Sequence, residues 1–162
     1  MTGAAGGVGG FALELARRQG LGVIGIAGPQ DEGFVTGCGA TFVPRSEDIG
    51  AAVRAVVPAG VDGLLDAAAI GAQALAAVRD DGAYTGVTPP FPPPSERGIR
   101  TAVVLARGIG KQLAELVDLV KKGELTLRTP KTYSLENSRR RSCRAGQERD
   151  AGRPGPDPLI TG

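Results

Sequence analysis

Five of the eight residues from Gly3 to Gly10 are glycine, and the run leads without a break into apolar positions at helical spacing, Val8, Phe11, Ala12, Leu15 and Ala16. Few folds use such a run. Residues without Cβ let backbone N–H groups approach a polyphosphate, and the helix that follows turns the positive end of its dipole on the same anion. Gly6, Gly7 and Gly9 meet the first requirement, and the apolar stripe meets the second. The loop therefore reads as the phosphate cradle of a nucleotide-binding βα unit. Against Gly-x-Gly-x-x-Gly, the segment Ala4-Ala5-Gly6-Gly7-Val8-Gly9 departs only at its first position. A P-loop is excluded, because no Gly-Lys-Ser/Thr follows.

What comes after the loop alternates. Leu21 to Ala27 reads as a short buried strand ended by Gly28-Pro29, and a helix from about Pro29 to Thr36 leads through Gly37-Cys38-Gly39 to a strand at Thr41-Phe42-Val43. Ser46 and Asp48 can cap a helix with apolar positions Ile49, Val53, Val56 and Val57. A strand at Val61 to Ala67 then precedes a helix from about Ile70 to Val78, a turn at Asp80-Asp81-Gly82 and a strand at Ala83 to Val87. The proline block from Pro89 to Pro94 reads as a rigid surface connection. Ile99 to Leu105 offers a last strand, and Ile109, Leu113, Leu116, Val117 and Val120 mark an amphipathic helix ended by Gly123. With 162 residues, 41% of them hydrophobic and only 4% aromatic, the chain can bury one aliphatic core. The expected class is α/β, a Rossmann-like doubly wound parallel sheet with its ligand at the carboxyl ends of the strands.

In the Rossmann strand order 3-2-1-4-5-6 the first strand is central. Here it is represented by Met1-Thr2 alone, so the sheet is expected to lack most of that strand, and Met1 to occupy an internal position of a longer protein. At the other end, Asn137 begins a stretch with Arg139, Arg140, Arg141, Arg144, Arg149 and Arg153 among Gly, Pro and Asp. The expected organisation is a nucleotide-binding domain over residues 1–136 and a disordered basic tail over 137–162. A shifted reading frame near Asn137 would account for that composition. Glu148, Asp150 and Asp157 dilute the tail's charge and no aromatic side chain is interleaved for stacking, so nucleic acid is not an expected partner. No apolar run nears the roughly 18 residues of a membrane span and no signal peptide opens the chain, which makes the cytoplasm the expected location. Two cysteines and no histidine build no zinc site of the usual kind, so no metal is expected.

The end of the Leu21 to Ala27 strand bears on the cofactor. A site that prefers NAD places a carboxylate there for the ribose, and that carboxylate would repel a 2′-phosphate. This chain has Ile26-Ala27-Gly28, with Asp31 and Glu32 only further on, so NADP is expected ahead of NAD. Arg45, after the next strand, is placed to meet the phosphate. Asp66, at a strand end before a helix, reads as a cap for that helix rather than as a base.

Thr2, Gly3, Gly7 and Gly9 satisfy the Thr-Gly-x-x-x-Gly-x-Gly loop of short-chain dehydrogenases, whose chemistry needs a Tyr with a Lys four residues on. Thr88 and Asn137 stand four residues after Tyr84 and Tyr133, so that chemistry fails here. The loop Thr2-Gly3-Ala4-Ala5-Gly6-Gly7-Val8-Gly9 instead resembles that of the medium-chain reductases, in their zinc-independent quinone oxidoreductase and enoyl reductase branch. The resemblance extends through Val23-Ile24-Gly25, Gly37-Cys38-Gly39-Ala40, Gly60-Val61-Asp62 to Asp66, Asp81-Gly82-Ala83-Tyr84, the helix Leu113 to Lys122 with Gly123-Glu124-Leu125, and Thr132-Tyr133-Ser134-Leu135-Glu136. It implies that Ala5, Gly6, Gly7 and Val8 hold the pyrophosphate and Gly28 borders the adenosine ribose. Ala67, Ala68, Gly86 and Val87 then line the nicotinamide side.

The implied reaction is hydride transfer to a carbonyl or conjugated alkene in the full-length protein, on a small-molecule substrate whose selecting residues, like the catalytic ones, lie outside this chain. From a different class, a non-catalytic nucleotide-binding or interaction fragment would use the same loop. The open edge of the last strand, Ile99 to Leu105, offers a route to a homo-oligomer.

Overall fold

Eleven short elements follow the glycine loop in the computed structural model, which describes residues 1–87 and 92–127. Helix α1 (Gly7–Arg18) carries the apolar stripe and ends before Gly20, whose φ of 69° closes the turn. Strand β1 (Ile24–Ala27) is followed by a 3-10 turn (Pro29–Asp31), helix α2 (Glu32–Gly37) and strand β2 (Thr41–Pro44). Helix α3 (Ile49–Arg54) is capped by Asp48, whose side chain accepts from the Ala51 N–H at 2.8 Å. Strand β3 (Val61–Asp66), a 3-10 helix (Gly71–Ala77), strands β4 (Val78–Gly86) and β5 (Arg100–Val103) and helix α4 (Gly110–Lys121) complete the order. The 137–162 tail, Tyr133 and the start of the proline block lie outside the described residues.

Every strand pairing is parallel. β1 pairs with β2 in one group, and β3, β4 and β5 pair in that order in another. What joins the groups is one residue: Thr2 makes parallel bridges to Ile26 on β1 and to Asp66 on β3. With Thr2 counted as the first strand, the order is the 3-2-1-4-5-6 arrangement expected for a Rossmann-like sheet. The Thr2 N–H donates to the Leu65 carbonyl at 3.0 Å, and the Ile26 N–H donates to the Met1 carbonyl at 2.9 Å.

Alternation along the strands sends side chains to two cores. Ile26 and Val43 pack with Leu64, Tyr84, Ile49, Val53, Leu75 and Val78 on the face covered by α3 and the 3-10 helix. Ala27 instead joins Ala4, Leu13, Val35, Cys38 and Ala40 on the face covered by α1 and α2. Helices thus cover both faces, as a doubly wound sheet requires.

Two expectations need correction. The segment expected as a helix from Ile70 to Val78 is a 3-10 helix, and its buried positions show why. Ala74 and Ala77, then Leu75 and Val78, recur at three residues, the 3-10 period. Its C-terminal carbonyls are taken by two guanidinium groups, Arg54 donating to Ala76 and Val78 and Arg97 to Leu75 and Val78. The turn expected at Asp80-Asp81-Gly82 lies inside β4. There the pairing jumps from Val61 opposite Val78 to Gly63 opposite Ala83, so the turn residues bulge out of the ladder with Asp81 at a φ of 57°.

Thr2 is 1% exposed, and its hydroxyl donates to Asp66 Oδ1 at 2.5 Å while accepting from the Ala68 N–H at 3.2 Å. Thr2→Val keeps the shape and removes both bonds. It should lower the unfolding free energy by about 1–3 kcal/mol, the scale for leaving a buried group short of its partner. Urea denaturation reads this as a lower midpoint at constant slope, and an unchanged midpoint contradicts it.

Candidate functional site

The glycine loop leaves the sheet at Thr2 and turns at Gly3, whose φ is 59°. A Cβ at Gly3 would lie 3.1 Å from the Ala67 carbonyl group, so the loop runs hard against the backbone that leaves β3. At Gly9 a Cβ would come within 2.1 Å of the Gly3 carbonyl oxygen, a collision with main chain that cannot move aside. Gly9 is therefore required by the fold of the loop itself. Around Gly7 the space is open, with nothing within 4 Å of a Cβ, and Gly6, Gly7 and Val8 are exposed. Gly6 is the N-cap of α1, no side chain caps that terminus and no acidic residue stands in its first turn. Such a terminus presents backbone donors and the helix dipole to an anion. Ala5 lies half-buried behind it.

The remaining candidates sit at the carboxyl ends of the strands on either side of this loop. Gly28 follows β1 and Arg45 follows β2, and the Arg45 N–H donates to the Ala27 carbonyl at 2.9 Å. That bond sets exposed Arg45 beside Gly28. The sequence did not single out Gln30, yet its amide lies 2.4 Å from where a Gly28 Cβ would be and also donates to Asp31 at 3.3 Å. Across the seam, Ala67 and Ala68 follow β3, while Gly86 ends β4 and the Val87 N–H donates to the Asp66 carbonyl at 3.2 Å. The fold brings the loop together with Ala67 and Ala68, and Gly28 with Arg45.

Asp66 caps the chain that leaves β3, as its position at a strand end suggests. Its Oδ2 accepts from the Gly71 N–H at 2.8 Å and from the Tyr84 hydroxyl at 2.7 Å, and its Oδ1 accepts from Thr2 and from the Ala68 N–H. Burial pushes the Asp66 carboxyl up, but the hydrogen bonds from Gly71, Thr2, Tyr84 and Ile70 outweigh it and hold the group below its ordinary value. Tyr84 is shifted the other way, up from the usual phenol range, by burial first and by Asp66 second. A phenol so held keeps its proton and is spent on Asp66, which gives a second reason against short-chain dehydrogenase chemistry. The partnership of Thr2, Asp66 and Tyr84 was not legible from the chain, since it joins residues up to 82 positions apart. Among the described residues, no three His, Cys, Asp or Glu side chains gather to hold a metal ion, and no helix is long and apolar enough to cross a membrane.

No protein-family model matches this sequence, and no curated protein matches it. Solved structures do. AibC superposes with a TM-score of 0.77 at 23% identity over 93% of this chain and 49% of its own. The quinone oxidoreductase from Coxiella burnetii gives a TM-score of 0.70 at 20% identity, over 94% and 49%. Mycobacterial Rv1454c, solved in complex with NADPH, gives 0.70 at 22%, over 93% and 53%. These likenesses show the fold, a Rossmann-like α/β arrangement shared with half of each of those structures. This chain spans about half the length of the structures it matches.

Two substitutions separate the glycine that the loop's packing requires from the exposed one. Gly9→Ala should destabilise the domain by about 1–3 kcal/mol through overpacking against Gly3. Gly7→Ala should leave thermal stability within about 0.5 kcal/mol after allowance for surface position. Calorimetric melting of both variants checks the pair, and equal effects contradict it. The Asp66 cluster also sets an acid limit. A carboxyl lowered in the fold contributes stability that is complete above its unfolded value of 3.8 and is lost as pH falls below it. Urea midpoints taken from pH 6 down to pH 2 should therefore fall more steeply for the parent than for Asp66→Asn.

Proposed function

We propose that this chain is the NADP-binding domain of a zinc-independent oxidoreductase that transfers hydride to a carbonyl or conjugated alkene. The observation that carries the reading is the glycine cradle, whose backbone packing tolerates no side chain at Gly9 while the space over Gly7 at the uncapped start of α1 is open. A pyrophosphate placed there would lie against Gly6, whose own N–H donates to the Gly3 carbonyl at 2.9 Å, and would meet the backbone donors of Gly7 and Val8, with Ala5 behind them. Gly28 would border the adenosine ribose, and Arg45 would meet the 2′-phosphate. Ala67, Ala68, Gly86 and Val87 would flank the nicotinamide.

The cofactor supplies the hydride, and the protein's share is to hold it and keep its reactive face toward the substrate. In the full-length protein the other wall of the cleft, and with it the choice of substrate, would come from residues beyond this chain. Asp66 and Tyr84 take no part, because each is committed to the other. A cytoplasmic location fits this chemistry.

Fluorescence titration of the purified chain with NADPH and with NADH tests the reading. NADPH should bind saturably and more tightly than NADH. Arg45→Ala should weaken NADPH about tenfold, the scale of one charge-assisted hydrogen bond, and leave NADH unchanged. Absence of saturable binding of either cofactor to a folded sample would overturn the proposal and leave a fragment without nucleotide chemistry.

A further inference from the structure

The chain that leaves β1 turns at once. The Asp31 N–H donates to the Gly28 carbonyl at 3.0 Å, closing Pro29–Asp31 into a 3-10 turn whose first φ is fixed by Pro29. Gln30, in the middle of that turn, folds its side chain back over Gly28. Its Oε1 lies 2.6 Å and its Cδ 2.8 Å from where a Cβ on Gly28 would stand, so the amide fills the place that the glycine leaves empty. A side chain at Gly28 would displace it.

The amide is also oriented. Its Nε2 donates to Asp31 Oδ2 at 3.3 Å, and because an ionised carboxylate only accepts, that bond fixes which end of the amide faces Asp31. Among the described residues its other N–H and its Oε1 have no partner. Arg45, set beside Gly28 by the bond from its N–H to the Ala27 carbonyl, forms no ion pair among the described residues. The end of β1 therefore has a cation near it at Arg45, a half-buried carboxylate at Asp31 and a neutral amide over the glycine.

A carboxylate that reaches the adenosine ribose accepts from its 2′-hydroxyl and repels a 2′-phosphate. The choice of cofactor thus depends on whether Asp31 reaches the ribose. In this fold the position over Gly28 belongs to Gln30, and an oxygen of Asp31 is engaged by the same amide. On the reading of the cradle as a cofactor site, we propose that Gln30 is the residue that sets the preference for NADP over NAD, by holding the Asp31 carboxylate away from the ribose beside Gly28. The amide's remaining N–H and Oε1 meet the ribose in place of the carboxylate, and they carry no charge to repel a phosphate. Arg45 supplies the attraction for the 2′-phosphate. Gln30 withholds the partner that a free 2′-hydroxyl would need.

The test measures NADPH and NADH dissociation constants by fluorescence titration for the parent chain, Gln30→Ala, Asp31→Asn and the double variant, each shown to be folded by circular dichroism. Gln30→Ala should lower the preference for NADPH about tenfold, the scale of one hydrogen bond to a charged group, chiefly by tightening NADH. In the Asp31→Asn background the same substitution should change the preference less than about twofold, because no carboxylate remains to be held back. Gln30→Glu keeps the shape, puts a carboxylate over Gly28 and should reverse the preference. An unchanged preference in Gln30→Ala, or a parent that binds NADH the more tightly, overturns the inference and leaves a cofactor site standing. So does an equal change in both backgrounds, which would make Gln30 a direct partner of the phosphate. If neither cofactor binds the folded parent, the cofactor reading itself falls and takes this inference with it.

Discussion

The bond between Thr2 and Asp66 is the point on which the rest of the sheet depends. On one side, β1 and β2 form a pair. On the other, β3, β4 and β5 form a triplet. The main chain of Met1 to Ala4 spans the gap in bridges centred on Thr2, and a single buried carboxylate locks Thr2 by its side chain. Asp66 also holds the Tyr84 hydroxyl on β4 and the Gly71 N–H at the start of the 3-10 helix. The carboxylate thus joins the start of the glycine loop, two strands and the following helix. Buried polar groups cost stability when unmatched, and here each side-chain oxygen has partners, so the cluster specifies geometry without leaving an orphan.

This arrangement separates structure from chemistry within a few residues. Gly3 follows Thr2 directly, so the position of the cradle is set by the same contacts that close the sheet. Asp66 and Tyr84 have the residue types of an acid–base pair and stand at the carboxyl ends of strands, where catalytic groups of such folds gather. Their environment removes them from that role: hydrogen bonds led by the one from Gly71 hold the carboxyl below its ordinary value against burial, and burial first and Asp66 second hold the phenol above its own. Next to the loop, what is left exposed is mostly main chain and small side chains, Gly6, Gly7 and Ala68, with Val8 beside them.

How much of this was legible follows the range of the interactions involved. The glycine loop, the Asp48 cap and the β-strand segments are local, and each was visible in the spacing of a few residues. Asp81 also adopts the left-handed turn conformation that Asp-Gly suggests, but pairing with β3 on both sides absorbs the turn into β4 as a bulge. The Ala-rich segment before it fits helical and 3-10 periods almost equally over seven residues. Arg54 and Arg97, whose guanidinium groups take the end of that element, sit about 20 residues away on either side and carry no local signal. Strand order was legible because the parallel alternation allows few topologies. At the site, Gly28 and Arg45 could be placed by strand ends, whereas Gln30 over Gly28 and Thr2 on Asp66 needed the fold.

The two faces of the sheet bear the seam unequally. On the α3 face one core runs beneath it, with Ile26 and Val43 from one side packed with Leu64 and Tyr84 from the other. On the α1 face the core belongs to β1, β2 and the loop, and contains no residue of β3 or β4. The junction is therefore closed by hydrophobic packing on one face and by Thr2 and the loop on the other. The chain that follows α4 adds a tie on that weaker face, where Glu124 pairs with Arg18 at 2.6 Å and Glu14 accepts from the Thr126 N–H at 3.0 Å. An exposed ion pair contributes little by itself. Its place matters more than its strength, because it anchors to α1 the segment that carries Leu125 into the interior. The cradle at the start of α1 is in this way positioned from both ends of the helix, by Thr2 through the loop and by the returning chain at its last turns.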